Sequence, residues 1–368
     1  MRPIRVLFGN SVDADDYGTQ SLNQREIALH LDPRRFAATL FYRRRPDPRL
    51  VGRPNLRLVR LPPRLGALRM LAESISRCDV LFKPNFDRFG ALFFRLPRRL
   101  RRRTVTVEWI EAPVENFLAE APRSRRRIFD AVAHRIDLRV AITDRIAETS
   151  PLTCGLHPTE VIPAGVNREI FRPCERPAGE PLQVLFVGPL IERKGPQLVL
   201  RAAERHRDVR FFLVGERRGD FHHQLARIVR ERSLQNVTFL PKMPQSELAE
   251  LMGRSHVLFH PSLVESFAKV VLEGAATGLP AIMLARHRSP AIVDSLTGYQ
   301  VDDVDAMLER LARLLEDREL RKRQGDAACE HARRFDWRRI VRRWEAVFEQ
   351  ALEAKRAGAA SGDRRNDA

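Results

Sequence analysis

The sequence predicts an α/β chain made of two doubly wound, Rossmann-like domains. Its 368 residues exceed one ordinary compact domain and suit two, each able to bury its own core. Short runs rich in Val, Ile, Leu and Phe alternate with longer segments of helical period, the pattern of βα units and a parallel sheet. The alternation breaks once, at a Pro- and Gly-bearing stretch near residue 175.

In the first half the expected strands are Ile4–Phe8, Ala38–Tyr42, Leu56–Leu61, Asp79–Phe82, Thr104–Glu108 and Leu138–Ile142, with helical stretches such as Ser21–Leu31 and Arg125–Arg135 between them. The second half repeats the theme with Leu182–Val187, Val209–Val214, Val237–Leu240, Val257–His260, Ala281–Leu284 and Tyr299–Val301. Between the halves, Val161 to Asn167 and Phe171-Arg-Pro173 suit a strand leading into an interdomain connection. The expected division is therefore 1–174 and 175–335, followed by a closing helix over 336–357. A Gly-, Ala- and Ser-rich tail from 358 to 368 is expected to be disordered.

Composition narrows the class. A hydrophobic fraction of 43% is that of a globular protein, and no apolar run approaches the roughly 18 residues of a membrane span. No signal peptide is visible at the N-terminus, so a cytoplasmic protein is expected. Cys78, Cys154, Cys174 and Cys329 lie far apart without a CxxC pair and read as free thiols. The net charge of +18 comes from arginine clusters at 43–45, 98–103 and 125–127, concentrated in the first half. Such charge permits binding to nucleic acid, anionic membrane or polyanionic saccharide, or is simply a solvated helix face.

The most informative segment runs from Pro261 to Pro280. Small residues Ser266 and Ala268 follow the strand ending near His260 and suggest a helix opening there, with its backbone N–H groups and positive end available to a diphosphate. Glu273 lies eight residues beyond Glu265, a little over two helical turns, so both carboxylates can face one side at different depths. A carboxylate accepts from two vicinal hydroxyls at once, as ribose and hexose recognition requires. Two glutamates flanking an amphipathic helix are, taken alone, more often surface residues.

This segment resembles the E-x7-E motif of retaining GT-B glycosyltransferases of family 4, the glycosyl transferase group 1 family. Val187-Gly188-Pro189 to Arg193-Lys194-Gly195 resembles the family's strand–Gly–Arg–x–KG segment, in which a lysine contacts the donor phosphates. Phe211 to Glu216 and Val237 to Leu240 resemble strands of its nucleotide pocket. Val161 to Phe171 resembles its hinge-proximal signature, Tyr17-Gly18-Thr19 its Gly-rich first loop, and Phe335-Asp-Trp337 its closing segment that crosses back to the first domain. The likeness is strongest from about 160 to 285 and weak in the acceptor half.

The resemblance implies GT-B architecture, with the two domains facing a central cleft. It implies transfer of a hexosyl unit from a nucleoside diphosphate sugar with retention, without a metal or cofactor. Glu265, Lys194 and Arg193 would be catalytic. Gly18, Gly188, Lys194, Glu265, Ser266, Phe267, Ala268, Lys269, Val270 and Glu273 would bind the donor, Glu265 at the sugar and Glu273 at the ribose. Three departures stand out. Pro189 replaces an arginine, Arg286 to Pro290 replaces a Gly-Gly-x-x-Glu loop, and Glu108 stands where many members carry a histidine, which makes it the candidate on the acceptor side.

Weaker signals point elsewhere. Asp13-Ala14-Asp15 has D-x-D spacing but follows the first strand and reads as a solvated loop. His222-His223 diverge on a helix without a third ligand and read as surface residues. The expected partners are a nucleotide-sugar donor, a lipid-linked or polysaccharide acceptor and an anionic membrane surface on the inner face of the cytoplasmic membrane. Nucleic acid is not expected, since the aromatic fraction is only 7% and stacking platforms would be sparse. The competing readings are a sugar-nucleotide epimerase or phosphorylase on the same scaffold, and a basic, non-catalytic polyanion-binding protein.

Overall fold

The computed structural model describes residues 2–16, 18–83, 87–174, 176, 181–284 and 288–363, without the side chains of 116, 117, 120 and 358–363. Tyr17, Arg286, His287, most of the Pro/Gly stretch before Pro181, and the end of the tail lie outside the described residues. Two compact units form, one of Met1–Gly165 with Trp337–Ala368, the other of Val166–Asp336. The sequence had suggested a boundary near 175.

The first unit carries a seven-stranded sheet from β1 (Ile4–Ser11), β2 (Phe36–Tyr42), β3 (Leu56–Arg60), β4 (Val80–Phe82), β5 (Val105–Ile110), β6 (Leu138–Ala141) and β7 (Glu160–Val161). Their order is β3-β2-β1-β4-β5-β6-β7 and every pairing is parallel. Helices cover both faces of such a sheet, so its strands read as continuous apolar runs. Val80, Leu81 and Phe82 are accordingly all buried.

The C-terminal helix Trp337–Asp363 belongs to this unit. Its Trp344 is fully buried and meets the rings of Trp109, Phe82 and Phe348 at centroid distances of 5.1, 4.9 and 5.8 Å. Lys355 Nζ donates to Asp137 and to the Thr104 carbonyl, pinning the following turns. The helix is described as far as Asp363, beyond Gly358, where the sequence suggested that order ends.

The second unit holds β8 (Gln183–Val187), β9 (Arg210–Val214), β10 (Val237–Leu240), β11 (Val257–His260), β12 (Ala281–Leu284) and β13 (Gly298–Val301), ordered β10-β9-β8-β11-β12-β13 and parallel throughout. Val184, Phe186, Phe211, Leu213, Val257, Phe259 and Ile282 form the centre of its core. The chain enters this unit at Val166 and leaves it at Asp336, which are bridged in parallel, with the Val166 N–H donating to the Phe335 carbonyl at 2.8 Å.

In both sheets the strand order reverses at an inner pair, β1/β4 in one and β8/β11 in the other. In open α/β sheets ligands bind outside the carboxyl ends of the strands at such a switch point.

Candidate functional site

The second unit's switch point is where the best-matched motifs converge. After β8 the chain turns through the 3-10 turn Glu192–Lys194 and Gly195. Gly195 has φ of 73°, and a Cβ there would come within 2.2 Å of the Pro261 carbonyl oxygen. Only glycine tolerates both the left-handed backbone and that approach. The Leu263 N–H donates to the Arg193 carbonyl at 2.9 Å, so the loops after β8 and β11 are stitched together.

This stitching brings Lys194 Nζ onto Glu265 Oε1. His260, the last residue of β11, places Nε2 at 2.8 Å from the same oxygen. The Glu265 side chain is only 12% exposed. Burial alone would raise its pKa, but the His260 hydrogen bond and the His260 and Lys194 charges outweigh it, and the carboxyl is held well below the ordinary range. Glu265 is therefore an ionised, doubly held carboxylate. Arg193, by contrast, is exposed.

The helix after Glu265 starts later than the sequence suggests. It runs Lys269–Ala276, not from near Ser266, because Ala268 sits at φ 58°, a left-handed turn that no helix contains. Ser266, Phe267 and Ala268 thus form a loop. Phe267 is buried against Phe335 at 6.0 Å, and its carbonyl accepts from the Ser289 hydroxyl. Lys269 and Val270, both partly exposed, make the helix's first turn, and no side chain caps that end.

Glu273 lies on this helix and Glu265 precedes it, so the two carboxylates do not share a helical face. Neither is a surface residue. Glu273 is 6% exposed, accepts from Gln245 Nε2 at 3.3 Å, and has its pKa raised by burial. Gly188 follows β8 and its N–H donates to the Val214 carbonyl at 2.9 Å.

In the first unit the candidates separate. Gly18 is the N-terminal cap of the helix Thr19–His30, and its N–H donates to Asp16 at 2.8 Å. Glu108 lies within β5, paired in register with Arg139, rather than at the strand's carboxyl end. Burial pushes its carboxyl up to about 7, against the pull of Lys83 and Arg139, and its Oε2 has no hydrogen-bond partner among the described residues. The strand's carboxyl end belongs instead to Glu111, which pairs with Lys83 at the end of β4 and accepts from Asn23 Nδ2 at 2.6 Å. Sequence reasoning missed Glu111, Lys83 and His260. Their one signal is a polar side chain closing an apolar strand run.

Two weaker readings change or gain detail. Asp13 is not solvated. It is 6% exposed, and its Oδ1 accepts from the backbone N–H groups of Arg43, Arg44 and Arg45 at 3.0, 2.6 and 3.2 Å. The D-x-D spacing therefore serves the turn after β2, with Asp15 paired to Arg44 at the surface. His222 and His223 sit on the surface helix Phe221–Glu231, His222 partly exposed and held by the Gly219 carbonyl, His223 exposed. All four cysteines are free thiols. No group of three or more His, Cys, Asp and Glu side chains suited to a metal occurs among the described residues.

The family model for glycosyl transferases group 1 matches residues 167–331, nearly the whole second unit. Over that segment the chain resembles the group 1 glycosyltransferases. The D-inositol 3-phosphate glycosyltransferase of Corynebacterium diphtheriae is 34% identical over 214 residues, covering 52% of this chain and 50% of that protein. The enzyme of the same name from Kribbella flavida is 30% identical over 256 residues, covering 62% and 60%. The chain thus spans half to three fifths of these curated relatives' length.

Among solved structures, sucrose-phosphate synthase from Thermosynechococcus elongatus aligns with a TM-score of 0.77 over 96% of this chain and 100% of that one, at 20% identity. Anabaena HepE in complex with UDP and glucose aligns with a TM-score of 0.76 over 94% and 100%, at 16%. At these identities the likeness concerns fold. The chain has the GT-B fold class, each unit supplying one Rossmann-like half.

Proposed function

We infer that this chain is a group 1 glycosyltransferase that transfers a hexosyl unit from a nucleoside diphosphate sugar to a lipid-linked or polysaccharide acceptor, with retention of configuration as in family 4. The observation that carries this reading is the convergence of Lys194, Glu265 and His260 at the β8/β11 switch point, within the matched segment. A nucleotide also appears in the structure of HepE with UDP and glucose, whose fold this chain shares.

Departure of a nucleoside diphosphate leaves negative charge on the β-phosphate. Lys194 and Arg193, with the uncapped first turn at Lys269 and Val270, would stabilise that charge without solvent reorganisation. No metal or other cofactor is required by this scheme. Glu265 would bind the sugar hydroxyls and Glu273 the ribose. Gly188, Ser266, Phe267 and Ala268 would bring backbone close to the donor. The acceptor side would fall to the first unit, with Glu111 in the place first assigned to Glu108.

The exposed arginines 98, 99, 102, 103, 123, 125 and 127 would hold that unit on the inner face of the cytoplasmic membrane. No helix among the described residues is long and apolar enough to cross a membrane.

The test is a thermal-shift and calorimetric screen with UDP-, GDP- and ADP-sugars, followed by product analysis with and without acceptor and with EDTA. Glu265→Gln should lower turnover far more than nucleoside diphosphate affinity, because its partner is the transferred sugar. Equal losses would remove Glu265 from the sugar site. An abolished rate in EDTA would remove the metal-free scheme.

A further inference from the structure

His260 is 2% exposed and lies in the β11 ladder, in register with Met283 of β12. Its Nε2 and Lys194 Nζ converge on one oxygen of Glu265, Oε1, so neither donor occupies Oε2. The His260 Nδ1 is buried and has no hydrogen-bond partner among the described residues. A carboxylate can only accept, so Nε2 carries the donated proton.

The two donors are held differently. Lys194 sits in the loop after β8 on a flexible four-carbon stem, and it is the group that the proposed function commits to a diphosphate. His260 is fixed by its strand and by burial. If both donors left, a buried carboxylate would stand uncompensated, a strongly unfavourable state.

We propose that His260 is a positioning residue that holds Glu265 Oε1 in place when a nucleoside diphosphate draws Lys194 away, presenting Oε2 to a hydroxyl of the transferred sugar. This rests on the proposed donor site. The histidine touches neither nucleotide nor reacting atoms and acts only through Glu265.

The experiment uses the full chain with His260→Leu, which removes the donor, and His260→Gln, whose side-chain N–H reaches about as far as the imidazole Nε2. Calorimetric titration with UDP, GDP and ADP reads nucleotide affinity, and nucleoside diphosphate release reads turnover. The expected result is that His260→Leu keeps affinity within about threefold and loses about tenfold or more in turnover, the size of one charge-assisted hydrogen bond, with His260→Gln recovering most of it. Nitrogen-15 spectra of the unliganded chain should show His260 protonated at Nε2.

Equal turnover of the Leu and Gln variants, parallel loss of affinity and turnover, or an Nδ1–H tautomer would overturn the assignment. Should the Leu variant not fold, the Gln variant and the tautomer decide. An unaltered chain that binds no nucleotide defeats the donor site, and this assignment with it. Normal binding with a fully active Leu variant defeats this assignment alone.

Discussion

Replacing Glu108 by glutamine should stabilise the first unit at alkaline pH and leave it nearly unchanged at pH 4.5. Burial raises this carboxyl from 4.5 to about 7, and Oε2 finds no partner among the described residues. The native state therefore keeps a proton that the unfolded chain gives up between those values. Because the unfolded state binds fewer protons there, stability falls as pH rises through the window, and the loss is complete above about pH 8. A rise of that size, at about 1.4 kcal/mol per unit, corresponds to roughly 3 kcal/mol. Glutamine keeps the shape and cannot ionise, so the variant escapes the loss.

The assay is urea unfolding followed by tryptophan fluorescence at several pH values. All three tryptophans, Trp109, Trp337 and Trp344, lie in the first unit, so the signal reports that unit alone. The stability difference should grow from near zero at pH 4.5 to roughly 3 kcal/mol at pH 8. A difference that is flat across the range, or a less stable variant at pH 8, would show that Arg139 or Lys83 keeps Glu108 ionised in the fold and would refute the reasoning.

Three further outcomes are expected. Lys194→Ala and Glu273→Ala should each weaken nucleoside diphosphate binding by calorimetry by about 1.5–3 kcal/mol with the fold intact, and unchanged affinity in both would remove the donor-site assignment. Gly195→Ala should destabilise the second unit by about 2 kcal/mol or more in unfolding followed by circular dichroism, because alanine meets both the positive φ and the Pro261 carbonyl. Co-sedimentation with anionic vesicles should be salt-sensitive and should fall when Arg102, Arg103, Arg125 and Arg127 become Ser, each contributing about 1 kcal/mol. Binding that ignores lipid charge would make these arginines an ordinary solvated surface.

The sequence by itself determined the two parallel sheets, because strands buried on both faces must be apolar throughout and therefore stand out from amphipathic helices. Val237–Leu240, Val257–His260 and Ala281–Leu284 are read to the residue. The motif resemblance also singled out Lys194 and Glu265, which the structure pairs.

Only the tertiary structure decided which groups meet. That His260 and Lys194 share one oxygen of Glu265 depends on β8 and β11, distant in the chain, lying side by side, with Val184 opposite Val257, which no local pattern encodes. The left-handed Ala268, the burial of Asp13 beneath the turn after β2, and the exchange of Glu108 for Glu111 at the end of β5 have the same cause. Residue type gives a side chain's chemistry, but its burial and partners come from contacts between segments remote in sequence, and those contacts decide whether a carboxylate is held ionised like Glu265 or pushed toward its neutral form like Glu108.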